Sequence, residues 1–310
     1  MVRIMNQDIA IEVEDLQKSY GKTKAVDHLS FSVRKGEIFG LVGPNGAGKT
    51  TTLECLEGLR RQDGGVIRVL GFNPQKDRRA LNTHIGVQLQ DSSLAHQIRV
   101  GEAMDLFASF YKHHQTPSEL LEQLGLSYQR DTAFAKLSGG QKQRLFIALA
   151  LIHDPELLFL DELTTGLDPQ GRRLIWERIR DINGRGKTIV LSTHFMEEAE
   201  RLCDRVLIID HGKTVALDST ENLIRELTVD HKVIFSVNGR FDVSLFQGLT
   251  SVTGVDVFKD RVTVSGRSEH LVADVVKVLI NEKSRYFDLH VQQPNLEDVF
   301  LKLTGKEIRD

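Results

Sequence analysis

The chain has 310 residues, and its composition is that of a folded globular protein. Apolar residues make up 40% and charged residues 27% of the sequence, which excludes an intrinsically disordered chain. The net charge of −3 provides no overall positive field for non-specific binding to nucleic acid, so no nucleic-acid partner is expected. At roughly 150 residues per domain, this length predicts about two domains.

The sequence predicts neither a membrane span nor a disulfide framework. A spanning helix needs about 18 or more consecutive apolar residues, and the longest apolar run here is 145–152. The first eight residues lack the apolar core of a secretory signal. Cys55 and Cys203 are the two cysteines. They lack the spacing of a metal site and indicate a reducing, cytosolic setting.

Strands and helices alternate through the first two thirds of the chain. The expected strands are 9–14, 31–42 with a turn at Lys35-Gly36, 85–90, 157–160, 188–192 and 206–209. The expected helices are one ending at Gly58, a helical region at 99–136, and 139–153, 169–183 and 195–203. This alternation predicts an α/β domain with a mostly parallel sheet that is covered on both faces.

The pattern changes after about residue 220. Strands are expected near 232–237, 253–258, 261–265 and 287–291, with helices at 243–249, at 269–282 and from Asn295. The order β-α-β-β-α-β is that of a small α+β module of the ferredoxin-like type. We therefore expect two domains, at 1–224 and 225–310.

One glycine-rich segment points to phosphate binding. Gly43-Pro44-Asn45-Gly46-Ala47-Gly48-Lys49-Thr50 matches G-x-x-x-x-G-K-[ST] between a predicted strand and a predicted helix. Glycines let backbone N–H groups curl around a polyphosphate, and the helix N-terminus adds its dipole. Lys49 is expected to reach the β- and γ-phosphates and Thr50 to bind Mg²⁺. We count Thr51, the next residue, with this nucleotide-binding segment.

Two acids follow the apolar strand 157–160. The carboxyl end of such a strand is where α/β proteins place their ligands. Asp161 suits the coordination shell of Mg²⁺, and Glu162 is placed to act as general base toward a water molecule. Taken alone, two solvated acids at a strand end would be an equally good interpretation. The phosphate-binding segment favours the catalytic one.

A second anion site is predicted at Leu137-Ser138-Gly139-Gly140-Gln141, ahead of a helix. A hydroxyl, accessible backbone N–H groups and a helix N-terminus favour an anion there, although a simple serine cap is the alternative. The segment resembles the signature motif of ATP-binding-cassette (ABC) proteins. That resemblance implies a P-loop NTPase fold with a helical subdomain. It also implies a head-to-tail homodimer in which two ATP molecules lie between the phosphate loop of one copy and the signature of the other.

Four further positions match this family, and their roles rest on the resemblance. Tyr20 matches the aromatic residue that stacks on adenine, with a core or turn tyrosine as the alternative. Gln90 matches the glutamine that touches Mg²⁺ and the attacking water, although Gln88 lies on the same face of the strand. Asp168 matches the loop that crosses the dimer interface. His194 matches the histidine that contacts the γ-phosphate.

One position departs from the family pattern. Leu163 follows Glu162 where many ABC proteins carry proline. Leucine frees φ and restores a backbone N–H, so the rigidity of the loop beside the base can change. No chemical group of the site is lost, and we expect catalysis to survive.

The resemblance covers about residues 8–225 and implies a separate membrane partner. In the family, a cytoplasmic helix of that partner docks beside the helical region. We expect the contact zone at 90–112, with Phe107, Phe110 and Tyr111 as apolar anchors. Packing inside the subdomain is an equally good interpretation for Phe107.

The segments 192–200 and 294–305 narrow the class, because they resemble the daunorubicin-exporter-like ATPases of the ABC-2 type. This implies an ATPase subunit at the cytoplasmic face of the membrane that drives export of a drug, antibiotic or other amphipathic substrate through an ABC-2 type permease. The C-terminal domain is expected to stabilise the dimer or to regulate it.

Two alternatives to transport are weighed. A non-transport ABC ATPase of translation or chromosome maintenance would carry a second fused cassette or a long coiled coil, and this sequence has neither. An ATP-sensing regulatory or immunity protein is the other alternative. The Asp161-Glu162 pair and the signature argue against a site without activity, and an ATPase assay would decide.

Overall fold

The computed structural model describes residues 8–90, 92–226, 230–237, 242–246, 248–268, 270–281 and 286–305. The chain forms two compact units, which divide between Thr220 and Glu221. Across these described ranges, no helix combines the length and the apolar character needed to span a bilayer.

Two sheets make up the frame of the first unit. One is antiparallel, with the strand order β2-β1-β4, and the other has the order β5-β6-β7-β3-β8-β9. In the second sheet every neighbouring pair is parallel except β8 and β9. The strands are β1 Ile9–Tyr20, β2 Thr23–Arg34, β3 Ile38–Val42, β4 Gly64–Val69, β5 Ile85–Gln88, β6 Leu157–Asp161, β7 Thr188–Thr193, β8 Arg205–Asp210 and β9 Lys213–Ser219.

The central strands of the parallel sheet are apolar because helices and the antiparallel sheet leave them no exposed face. Every residue of β3, β6 and β7 is buried, as expected for parallel strands in a covered sheet. The helices are α1 Lys49–Leu56, α2 Arg78–Leu81, α3 Val100–Ala108, α4 Pro117–Gln123, α5 Gly139–Leu151, α6 Pro169–Asn183 and α7 Met196–Leu202, and α8 Thr220–Glu226 begins at the boundary between the units. The helices α3, α4 and α5 pack on one another as a helical subdomain.

The structure differs from the elements predicted from the sequence in three respects. The expected strand 31–42 is the end of β2 and the whole of β3, joined by the turn at Gly36, where φ is +77°. The first half of β2, and the strands β4 and β9, were missed, because their polar and half-exposed residues give little alternation. The helical region 99–136 is interrupted, because Pro117 begins α4 and Gly125 lies in the left-handed region, with φ +64°.

The second unit is a four-stranded antiparallel sheet with helices. Its strands follow the order β11-β12-β10-β13. The strand β12 therefore lies between β10 and β11, which are consecutive in the chain. This is the strand order of a ferredoxin-like module, as predicted, although a 3-10 helix takes the place of the first α-helix. The elements are β10 His231–Val237, β11 Gly254–Phe258, β12 Arg261–Gly266, α9 Leu271–Asn281, β13 Tyr286–Gln292 and α10 Leu296–Thr304.

Two details of this unit can be compared with the predictions from the sequence. The first expected helix, 243–249, is reduced to a 3-10 helix at Val243–Phe246. Asn295 caps α10 by accepting a hydrogen bond from the backbone N–H of Asp298, which makes the reciprocal bond expected of a capping box. The core is formed by alternate residues of β10 and β12 packed against Leu271, Val275 and Leu279 of α9.

Candidate active site

The glycine-rich segment connects β3 to α1, and packing requires glycine at two of its positions. A Cβ at Gly43 would lie 2.2 Å from the carbonyl oxygen of Ile209, and one at Gly48 would lie 2.2 Å from that of Ala25. Gly48 also has φ +104°, and Gly46 has φ +79° with open space around it. The loop therefore curls tightly against β8 and β2 and leaves its inner side free for a ligand.

Lys49 is folded back over this loop. Its Nζ donates to the carbonyl oxygens of Gly43 at 2.9 Å and Pro44 at 3.1 Å. It also lies 3.5 Å from Oε1 of Glu162. The residue is only 4% exposed, and burial lowers the pKa of its ammonium group below the ordinary value. A buried cation thus faces the place where phosphate would bind.

Thr50 and Asp161 meet at the end of the parallel sheet. The Thr50 hydroxyl donates to Oδ1 of Asp161 at 3.5 Å, and Ser192 donates a short hydrogen bond to the same oxygen. Burial raises the pKa of Asp161. A hydroxyl and a carboxylate are ligands that Mg²⁺ prefers, and Mg²⁺ commonly uses one or two protein groups besides substrate phosphates. The pair therefore fits a nucleotide-bound Mg²⁺.

The described part of the chain contains no group of three or more His, Cys, Asp or Glu side chains that could hold a metal ion. Any Mg²⁺ at Thr50 and Asp161 would therefore take its other ligands from water and from nucleotide oxygens, as is usual for this ion.

The backbone of Glu162 is held in an unusual conformation. Its φ is +47°, in the left-handed region, which side chains other than glycine, asparagine and aspartate rarely adopt. Its N–H donates to the carbonyl oxygen of Ser192 at 3.2 Å and to the Ser192 hydroxyl at 3.1 Å. These two bonds to β7 turn the carboxylate away from the strand direction and toward the phosphate loop.

Four side chains surround the Glu162 carboxylate. Gln90 donates its Nε2 to Oε2 at 3.2 Å. His194 Nδ1 lies 3.4 Å from Oε1 without the angle of a hydrogen bond. Thr165 donates to Oε2 at 3.5 Å, and Lys49 completes the group. The carboxylate is 8% exposed, so these contacts form away from bulk water.

A cavity of about 400 Å³ is lined by both the phosphate loop and Glu162, whereas Asp161, Thr165 and His194 do not line it. Its lining includes the loop and start of α1 together with Gln90 and Glu162. Gln88 lies elsewhere, with its Nε2 donated to the carbonyl oxygen of Leu89, so the geometry favours Gln90 over Gln88. The lining residues are Ala25, Asn45, Gly46, Gly48, Lys49, Thr50, Thr51, Gln90 and Glu162.

Tyr20 stands apart from this cavity. It ends β1 and is 43% exposed, so it is not a core tyrosine. The guanidinium of Arg60 lies 5.2 Å from its ring centre and Lys18 Nζ lies 5.7 Å away. The exposed ring is available for stacking, but it does not line the phosphate cavity.

The signature motif lies in a different cleft of the same unit. Ser138 caps α5, because its hydroxyl accepts from the Gln141 N–H at 3.3 Å while Gln141 accepts from the Ser138 N–H at 2.8 Å. Asp168 caps α6 by accepting from the Gly171 N–H at 2.6 Å. A cleft of about 270 Å³ is lined by Ser138, Gly139, Gly140 and Asp168 among others.

The two clefts have no lining residue in common. One copy of the chain therefore does not bring Ser138 or Asp168 to its own phosphate loop. The capping bonds also give both residues a structural role within a single chain, as the alternative interpretation of the signature expected.

Sequence reasoning gave no role to two residues at the site, Ser192 and Thr165. Ser192 lies opposite Asp161 in the parallel pairing of β6 and β7, and its place two residues before His194 was the available signal. Leu163, which stands where many ABC proteins carry proline, is 2% exposed and part of the buried core. Leucine at this position therefore contributes apolar packing beneath the base.

Comparison with known proteins finds relatives that match nearly the whole chain. The family described as ABC transporter matches residues 26–165. The Nod factor export ATP-binding protein I of Sinorhizobium fredii is 43% identical over 98% of this chain and 88% of its own length. Its counterpart in Paraburkholderia xenovorans is 41% identical over 98% of this chain and 99% of its own length.

Solved structures give the same assignment over about 70% of the chain. An ATP-binding subunit of an ABC transporter matches with a TM-score of 0.63 and 28% identity, over 70% of this chain and 93% of its own. A component of an ABC transporter complex from Clostridium perfringens matches with a TM-score of 0.63 and 26% identity, over 71% and 95%. The chain therefore belongs to the ATP-binding proteins of ABC transporters and is an ATPase with the P-loop NTPase fold.

Proposed function

We propose that this chain is the ATPase subunit of an exporter and drives transport through a separate membrane subunit. The relatives at 43% and 41% identity are named for Nod factor export, which supports export as the direction. The observation that carries the hydrolytic role is the Glu162 carboxylate, which faces the phosphate-loop cavity with Gln90 and Lys49 beside it.

Different residues at the site bind the phosphates, hold Mg²⁺, accept a proton and stabilise charge during hydrolysis. The backbone of Gly43–Gly48 binds the phosphates, and Lys49 exchanges its bonds to loop carbonyls for bonds to phosphate oxygens. Thr50 and Asp161, with Gln90 nearby, would hold Mg²⁺, which when bound neutralises charge on the β- and γ-phosphates. Glu162 accepts the proton of the attacking water, and His194 stabilises charge on the γ-phosphate side.

The second half of each site comes from another copy. Ser138, Gly139, Gly140 and Asp168 lie in their own exposed cleft, with two helix N-termini directed to it. A head-to-tail homodimer would place this cleft over the ATP that a partner's loop holds. Tyr20 would stack on the adenine. We further propose that residues 1–224 act as the ATPase domain and 225–310 as an accessory dimerisation domain.

The membrane subunit is proposed to dock beside the helical subdomain, on the cytoplasmic face of the membrane. Phe107 and Tyr111 line a groove of about 480 Å³, and Phe110 beside them is 67% exposed. These are apolar contacts for a helix of an ABC-2 type permease. The cargo is proposed to be amphipathic, a drug, an antibiotic or a molecule of the Nod factor kind.

Glu162→Gln tests the hydrolytic role. The substitution keeps the shape of the side chain but cannot accept a proton, so we expect turnover to fall by about 10²-fold or more while ATP binding is retained and closed dimers accumulate. ATPase rates, nucleotide binding and light scattering measure these three effects. Glu156→Gln, at an exposed acid ahead of β6, is the control and should turn over normally.

The export role has its own experiment. The chain is expressed in a Sinorhizobium fredii strain that lacks its Nod factor export ATP-binding protein, and Nod factor in the medium is measured. Restored export with the wild-type chain, and none with Glu162→Gln, supports the proposal. No export by a chain that is expressed and hydrolyses ATP contradicts a Nod-factor-like cargo.

A further inference from the structure

Glu57 is a buried acid that the hydrolytic mechanism does not use. It lies at the C-terminal end of α1 and is 2% exposed. Neither carboxylate oxygen has a hydrogen-bond partner among the described residues. Burial, with Asp161 and Glu54 nearby, raises the pKa of Glu57 to about 8. A buried carboxyl group without donors is uncommon in a folded protein.

Two further acceptors without donors line the same groove. The Oε1 atom of Gln88 is buried and has no partner in the described chain. His153 has Nε2 at 2.9 Å from the carbonyl oxygen of Ile85, so Nε2 carries the proton and Nδ1 is an acceptor. This Nδ1 is also buried and, within the described ranges, unpaired. Burial lowers the pKa of His153, which keeps the ring neutral.

These three acceptors line one groove within the first unit. The groove holds about 480 Å³, and Glu57, Gln88 and His153 all contribute to its surface. Leu59 and Leu89 line it as well and are 47% and 41% exposed. The groove thus combines exposed apolar surface, typical of an interaction site, with buried acceptors.

The charged side chains of the groove are one-sided, because the described residues that line it include an acid but no lysine or arginine. A group that offers only donors is the complement of Gln88 Oε1, of His153 Nδ1 and of Glu57 in its ionised form. The arginine guanidinium has five N–H donors, no acceptor and a permanent charge, and a cation beside Glu57 favours the ionised carboxylate.

We propose that this groove binds a helical segment of the membrane subunit that inserts one arginine side chain toward Glu57. The apolar face of the segment lies against Leu59, Leu89 and Phe107, and the guanidinium satisfies Glu57 and Gln88. The inference rests on the proposed function for the existence of that subunit, and it names the residue chemistry that the partner supplies.

A pair of peptides tests this inference on the full-length protein. Each is a 16-residue amphipathic helix of leucine, alanine and glutamine with one central residue on its apolar face. That residue is arginine in one peptide and citrulline in the other, because citrulline has the shape of arginine without its charge. Binding is measured by calorimetry at pH 7.5. We expect the arginine peptide to bind at least tenfold more tightly.

Two variants test whether Glu57 causes the preference for the arginine peptide. Glu57→Gln should bind the two peptides about equally. Glu54→Gln removes a carboxylate from the same helix, one that pairs with Arg60 and does not line the groove, so this variant should keep the tenfold preference. Circular dichroism checks that both variants fold.

Three results would overturn the inference: equal affinity of the two peptides for the wild type, a preference that survives in Glu57→Gln, or no saturable binding of the arginine peptide at millimolar concentration. The first and third use the wild type alone and do not depend on a variant that folds. ATPase activity and its loss in Glu162→Gln, measured on the same preparation, show separately whether the proposed function stands.

Discussion

At the scale of single residues, Ser192 connects the two acids that follow β6. Its hydroxyl donates to Asp161 and accepts from the backbone N–H of Glu162. One hydroxyl group therefore helps to orient the proposed Mg²⁺ ligand and the proposed base together. This position is 1% exposed, so no water can replace the hydroxyl without a change in packing.

Ser192→Ala should slow hydrolysis without unfolding the protein. The loss of a bond to a buried carboxylate costs about 1–3 kcal/mol. If that cost falls on the orientation of Glu162, kcat drops roughly ten- to a hundredfold. Ser192→Thr retains the hydroxyl and should recover most of the rate. Steady-state ATPase measurements compare the three proteins, and an unchanged kcat in Ser192→Ala would show that Ser192 does not position the acids.

Glu57 should make stability depend on pH. Its pKa is raised from 4.5 to about 8 in the folded chain, so the folded state binds the extra proton. The contribution of this proton to the free energy of unfolding is fully present below about pH 4.5 and is lost as the pH rises through 8. At about 1.4 kcal/mol per pKa unit, the loss is on the order of 5 kcal/mol.

Glu57→Gln removes this titration and shares all other groups with the wild type. Urea unfolding of both proteins between pH 5 and 8.5 should show the variant gaining stability relative to the wild type as pH rises. A constant difference in unfolding free energy across that range would mean that Glu57 does not titrate with a raised pKa.

At the scale of elements, the site depends on which strands are neighbours. The strands β6 and β7 are adjacent and parallel, and Asp161 pairs with Ser192 in the register. Their carboxyl ends, with those of β3 and β5, lie at one edge of the sheet. The helices α5 and α6, in contrast, present their N-termini and capping residues in the separate signature cleft.

The two roles of Ser138 can be separated by two substitutions. Ser138→Ala loses the cap of α5, which costs about 1 kcal/mol, and should also lose turnover. Ser138→Asp keeps a good capping residue but places a negative charge toward phosphate, so stability should be retained and turnover lost. Thermal unfolding and ATPase rates measure the two effects. Full turnover in Ser138→Asp would leave only the capping role.

At the scale of the whole molecule, the proposed assembly divides each site between two copies. The clefts of the phosphate loop and the signature share no residue. In a head-to-tail dimer, each ATP would meet Glu162 of one copy and Ser138 of the other. Hydrolysis per chain should therefore fall when the protein is diluted below its dimerisation constant.

Mixing two inactive variants tests this division. In a mixed dimer of Glu162→Gln and Ser138→Asp, one site carries both changes and the other carries neither. Random pairing makes half of the dimers mixed, each with one intact site of two, so roughly a quarter of wild-type activity should return. ATPase assays of the mixture and of each variant alone measure it. No recovery, with dimers present, would contradict the shared site.

The sequence alone determined the segments whose chemistry depends on local order. The phosphate loop, the Asp161-Glu162 pair and the capping residue Ser138 were found because strand, loop and helix follow one another directly. The split sheet of the second unit also followed from element order. The strand β4 was missed, because it is half-exposed and pairs with β1, far earlier in the chain. The strand β9 pairs with its neighbour β8 and was missed because its half-exposed residues show little alternation.

Only the tertiary structure decided which polar groups meet and which stay apart. It placed Ser192 between the two acids, separated the signature cleft from the phosphate cavity, and left Glu57, Gln88 and His153 as acceptors without a donor within the described chain. The reason is that burial and hydrogen-bond partners depend on residues far apart in the sequence, whose neighbours are fixed only when the sheets pack.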